Sequence, residues 1–185
     1  IEGHQPMESH SGRYVLVYNG EIYNFDEIRK ELDVENISWR GYSDTEVILA
    51  AIEIYGIENA IKKFNGMFSF GLWDRQERIL FLCRDRLGIK PLYYGLTENG
   101  IIWGSELKAL KIHPEFKPEI DRNSVALYLR HNCIPAPYTI YKNTWKLKPG
   151  HILQISIRDL HEAGGLPRSK CYWSSREIAE SGQNS

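Results

Sequence analysis

The sequence predicts an α+β fold in which antiparallel sheets pack together with helices outside. Three observations carry that expectation. Residues 24–64 show helical period, the β-favouring runs that follow come in hairpin-like pairs, and no strand–helix–strand alternation recurs. With 185 residues, 42% hydrophobic and 25% charged, the chain is long enough for one well-buried core.

Taken in order, residues 14–18 read as a strand that Asn19-Gly20-Glu21 interrupts. Asn24 then caps a helix with the stripe Phe25, Ile28 and Leu32. "SDTE" at 43–46 has the form of a capping box, opening a second helix that Gly56 stops, and a short third helix covers 58–64. Here the period changes. Residues 67–74 and 79–85 read as a hairpin around the charged turn "RQER", and two further β-runs flank the polar turn at 97–100. "ELKALK" is one helical turn or two. Residues 120–132 read as a helix capped near Asp121, with Val125, Tyr128 and Leu129 inward. "TWKLKPGHILQISI" reads as a last hairpin through Pro149-Gly150, and from about residue 158 the composition turns polar and Gly/Ser-rich, as in a tail or linker.

The totals exclude several classes of function. Net charge is −1, with 23 basic against 24 acidic residues, so no nucleic-acid or acidic-membrane partner is expected. Lys142, Lys146 and Lys148 around Trp145 read as a solvated face. Three distant cysteines argue for a reducing compartment, hence a cytoplasmic location, and Cys83 reads as a small apolar filler in a strand. No CxxC or i,i+4 histidine pair occurs, and "HEAGG" at 161–165 lacks the second histidine of HExxH, so no metal site is expected. No apolar run approaches the ~18 residues of a membrane span.

Asn19-Gly20 has two readings. Between β-runs it is the common sequence of a two-residue type I′ turn. Its flanks do not alternate as a hairpin's do, however, and a glycine amide beside an asparagine side chain offers the two donors of an oxyanion hole. Glu21 is then placed to hold a cation such as an α-ammonium. Asp44 stands at a helix start, where capping is the ordinary role. Arg84, Asp85 and Arg86 suggest a salt-bridged turn, and Glu106 and Lys108 an exposed helical turn.

Alone, none of these is specific. In one order, however, "GHQPM" (3–7), "YNGEIYNF" (18–25), "YSDTEVIL" (42–49), "FNGMFSFGLWD" (64–74), "RDRLGIKPLYY" (84–94) and "SELKAL" (105–110) closely resemble the class II glutamine amidotransferase domain of glutamine-hydrolysing asparagine synthases. The resemblance covers residues 1 to about 155, leaving 156–185 as a linker toward a synthetase domain. It implies the four-layer α/β/β/α sandwich of the N-terminal-nucleophile hydrolases, here without its first strand or strands. It implies that glutamine is hydrolysed to glutamate by a cysteine that heads the mature chain, the ammonia serving ATP-dependent amidation of aspartate in the parent protein. Asn19 and Gly20 would form the oxyanion hole, and Glu21 and Asp44 would bind the α-amino end of glutamine. No cofactor is expected in this chain; ATP and Mg belong to the synthetase domain, and a homodimer is the expected parent assembly.

The chain starts at Ile1, and the family's Met-Cys-Gly opening and the arginine stretch after it are not among its residues. It therefore reads as a fragment, inactive alone and left with an open sheet edge. The competing expectation is a nucleophile-free glutamine-binding or interaction module.

Overall fold

A computed structural model of the chain describes residues 3–156 and 169–182; Ile1, the "HEAGG" stretch and much of the expected linker lie outside the described residues. Two antiparallel sheets organise it. The larger has the order β1 (Met7–Glu8), β2 (Tyr14–Ile22), β3 (Gly66–Asp74), β4 (Ile79–Arg84), β8 (His151–Ser156) and β9 (Ser169–Cys171). In the smaller, β5 (Tyr93–Leu96) lies between β6 (Ile101–Gly104) and β7 (Thr144–Lys146).

Alternation along the strands decides what each face meets. Leu16, Tyr18 and Ile22 of β2 share a buried cluster with Phe68, Phe70 and Leu72 of β3, and with the helices α1 (Phe25–Leu32), α2 (Asp44–Tyr55) and α3 (Ile57–Lys63). Within α2 every residue from Thr45 to Ile52 is buried, because that helix is covered by α1, α3 and the sheet. On the opposite face Leu82, Leu153 and Ile155 meet Leu92, Tyr94 and Leu147, joining the two sheets. Gly71 permits this approach: a Cβ there would lie 2.4 Å from the Trp103 indole. Beyond the small sheet, α4 (Leu107–Leu110) packs on β5 and β6. The layers thus run helices, large sheet, small sheet, helix. Two further helices, α5 (Arg122–His131) and α6 (Ser175–Gly182), and a 3₁₀ turn at Asp33–Glu35 complete the described elements.

Four expectations need correction. Asn19-Gly20 is neither a turn nor a break, since β2 runs unbroken from Tyr14 to Ile22 and pairs with β3 throughout, Asn19 opposite Ser69 and Gly20 opposite Phe68. The last "hairpin" is a crossover: β7 pairs with β5 in one sheet and β8 with β4 in the other, with Pro149-Gly150 carrying the chain between layers. Tyr128 and Leu129 of α5 are exposed, not inward, because only Ser124 of that helix is buried. Finally, Arg84 and Asp85 bind backbone. The Asp85 carboxylate accepts from the amides of Phe68 (3.3 Å), Leu87 (3.1 Å), Ile89 (2.9 Å) and Lys90 (2.9 Å). The Arg84 guanidinium donates to the carbonyls of Gly88, Lys90 and Leu147, each at 2.7 Å. Together they clamp the 85–90 loop from inside, which is the physical content of the "RDRLGIK" motif.

Residues 169–173 lie past the expected boundary at 155, yet they pack into the fold. β9 extends the large sheet, Tyr172 donates its amide to Gly150 O at 2.9 Å, and its ring sits against the core.

Candidate active site

An open cleft of about 620 Å³ lies between the C-terminal half of β2 and the N-terminus of α2. Asn19, Gly20, Glu21 and Asp44 all line it. The volume is in the range of small-molecule sites.

The strand's own geometry aims the donors. Amides along an antiparallel strand alternate in direction. Tyr23, odd-numbered, donates to Asn65 O on the β3 side at 2.8 Å. Tyr18 and Ile22, even-numbered, donate the other way, to Gln5 Oε1 at 2.6 Å and Asp44 Oδ2 at 3.1 Å. Gly20 lies midway between them and in phase with both. Its N–H therefore points out of the sheet at the cleft, and it has no partner among the described residues. Only glycine fits there: its φ is +155°, and a Cβ would lie 2.1 Å from Met67 O and 2.6 Å from Phe68 Cα. The Asn19 side chain adds a second donor, its Nδ2 bonding Ser105 Oγ at 3.0 Å.

Acidity comes from two directions. Glu21 is exposed on β2 and its carboxylate makes no hydrogen bond or ion pair among the described residues. Asp44 is the first residue of α2, and Ser43, not Asp44, caps it by accepting from Thr45 N at 3.1 Å. That division frees Asp44 to hold Ile22 N–H and the Tyr18 hydroxyl (2.7 Å) on Oδ2. Burial, and then the bond to Asp44, push the Tyr18 hydroxyl well above the ordinary tyrosine range. Glu46 turns back to accept from the amides of Arg40 (2.8 Å) and Gly41 (3.1 Å), fixing the loop that leads into the helix.

Sequence reasoning missed Tyr18, Gln5 and Tyr42 as cleft residues and Ser105 as a neighbour of Asn19. Tyr18 was legible in part, since it precedes Asn19 and shares Gly20's parity. Nothing local marks Ser105, which is 86 residues from Asn19. None of the three cysteines lines the cleft: Cys83 is buried, with its thiol pushed up by that burial, while Cys133 and Cys171 are exposed elsewhere. Among the described residues no helix is long and apolar enough to cross a membrane, and no group of three or more histidine, cysteine or acidic side chains could hold a metal ion.

The model of the glutamine amidotransferase domain family matches residues 1–173. The chain belongs to that family. Asparagine synthetases (glutamine-hydrolyzing) 3 and 1 of Bacillus subtilis are 37% and 36% identical to this amidotransferase domain, over 83% and 84% of its length. It spans only 25% and 24% of theirs, so about a quarter of each relative is matched. Among solved structures, a glutamine phosphoribosylpyrophosphate amidotransferase from B. subtilis superposes with a TM-score of 0.63 at 18% identity, covering 92% of the domain and 32% of that chain. The amidotransferase domain thus has the α+β fold of N-terminal-nucleophile glutamine amidotransferases.

Proposed function

We propose that this domain binds glutamine in the β2–α2 cleft and stabilises the hydrolysis of its side-chain amide, within an asparagine synthetase that uses the ammonia to amidate aspartate. The observation that carries the reading is the Gly20 N–H, without a partner among the described residues and aimed into a cleft that Asn19, Glu21 and Asp44 also line.

In this reading the α-ammonium of glutamine is held by Glu21 and by Asp44 Oδ1, the carboxylate oxygen that Tyr18 and Ile22 do not use and that the Thr45 hydroxyl contacts at 3.5 Å. The carboxamide then lies toward Asn19 and Gly20. Attack by a thiolate turns the amide carbonyl into a tetrahedral oxyanion, which accepts hydrogen bonds from the Asn19 Nδ2–H and the Gly20 N–H. Collapse, with a proton delivered to the nitrogen by the α-amino group of the nucleophilic cysteine, expels ammonia and leaves a thioester, and water then releases glutamate and regenerates the thiol. No cysteine of this chain reaches the cleft, so the thiol is assigned to an N-terminal cysteine of a longer polypeptide. The chain from Ile1 to Ser185 alone supplies binding and charge stabilisation and does not turn glutamine over. ATP and Mg are assigned to the synthetase domain of the parent, which we place in the cytoplasm as a homodimer.

The test is glutamate release from glutamine by the polypeptide as its source cell makes it. Asn19→Ala is expected to lower kcat about 10²–10³-fold, the usual cost of one oxyanion donor. Asp44→Asn is expected to raise KM instead. Undiminished turnover in both variants overturns the reading.

A further inference from the structure

The Asn19 amide is held from a second sheet. Asn19 sits at an exposed position of β2. Its partner, Ser105, follows β6 directly and precedes α4, in the other β-layer. Two parallel steps produce the meeting. The indole of Trp103, in β6, lies against Gly71 of β3, and Gly71 is paired with Val17 of β2. Two residues beyond Val17 is Asn19, and two residues beyond Trp103 is Ser105. Alternation therefore returns both side chains to the same inter-sheet space. Between Trp103 and Ser105, Gly104 lies against α4, with a Cβ there only 3.2 Å from the buried Leu110.

We propose that Ser105 is a positioning residue: its Oγ takes one of the two Nδ2 protons of Asn19 and so holds the other at the cleft. This rests on the oxyanion reading of Asn19 given above. A side-chain amide has two donors, and binding one to a fixed acceptor sets the plane of the group and the direction of the second. Orientation of that kind acts on the developing charge and leaves the binding of ground-state glutamine unaltered. It also gives the "SELKAL" stretch, whose Glu106 and Lys108 form an exposed ion pair, a role at a cleft on the other sheet.

Two measurements test it. The first uses the chain Ile1–Ser185 and needs no activity: the Asn19 side-chain NH₂ pair in a ¹⁵N–¹H spectrum, assigned by its loss in Asn19→Asp. Ser105→Ala is expected to move that pair to the position of a solvated asparagine, and Ser105→Thr, which keeps Oγ, to restore it. An unmoved pair overturns the proposal. The second is glutamine turnover by the polypeptide as its source cell makes it. Ser105→Ala is expected to lower kcat about tenfold with KM within about twofold, Ser105→Thr to recover it, and Ser105→Ala to add nothing in an Asn19→Ala background. Full kcat in Ser105→Ala overturns the proposal, as does an equal extra loss in the double variant, which would mark a merely structural role. If Asn19→Ala keeps full kcat while the NH₂ pair still responds to Ser105, the oxyanion reading itself has failed and the contact serves stability alone.

Discussion

The Tyr18 hydroxyl donates to Asp44 Oδ2 at 2.7 Å, and this bond joins the strand carrying Asn19 and Gly20 to the first residue of α2. Because the same oxygen accepts Ile22 N–H, one carboxylate fixes the strand on both sides of Gly20. Tyr18→Phe keeps the buried ring and removes the bond. It is expected to cost about 1–2 kcal/mol of stability in urea unfolding, and to weaken glutamine binding by loosening Asp44.

That bond has a pH signature. The folded hydroxyl holds its proton above the ordinary tyrosine range, through burial first and Asp44 second. The unfolded chain therefore loses this proton first, and the associated stability is complete below about pH 10 and declines as pH rises past it. Unfolding free energies measured from pH 8 to 11 are expected to fall less steeply in Tyr18→Phe than in the parent chain. Parallel curves would contradict the assignment.

Gly20→Ala places a Cβ 2.1 Å from Met67 O, a backbone atom locked in the facing strand. The β2–β3 ladder has to open at this pair. The expected cost is about 3 kcal/mol or more, above the usual overpacking penalty because no flexible side chain can yield. Thermal unfolding would read it as a drop of roughly 10 °C. A Tm within about 2 °C of the parent's would show that the strand relaxes in a way this geometry does not allow.

Asp85→Asn tests the loop clamp. The carboxylate accepts from four backbone amides, and an asparagine NH₂ turns one of those acceptors into a donor facing donors. Loss of about 2–4 kcal/mol is expected, in the range of charged hydrogen bonds broken in a buried site. Protease cleavage within 85–90 is the local readout. Protection equal to the parent chain's would show that Arg84 alone holds the loop.

Thiol reactivity separates the cysteines. Cys133 and Cys171 are exposed, whereas Cys83 is buried in β4 with its thiol pushed up by burial. A thiolate reagent is expected to titrate two thiols in the native chain and the third only on unfolding. Three fast thiols in the native chain would place Cys83 outside the core.

The sequence alone determined the α+β class, the three helices after the first strand, the β3–β4 hairpin and the burial of Cys83. These depend on local period, capping residues and turn chemistry, all written within a few residues of where they act. The Asn-Gly-Glu stretch and Asp44 were also visible as candidate chemistry, through their residue types and a family resemblance. The tertiary structure decided what local pattern could not. Asn19-Gly20 looks like a turn because Asn-Gly usually makes one, and it is strand because β3 offers nine consecutive partners and a close backbone that only glycine tolerates. Pro149-Gly150 looks like a hairpin turn, but Leu147 and Leu153 bury between the sheets, and that separates β7 from β8 into different layers. Tyr18 meets Asp44 across 26 residues, and Ser105 meets Asn19 across 86. Such contacts follow from how sheets stack and which face each side chain occupies, a three-dimensional register that no single stretch of this chain encodes.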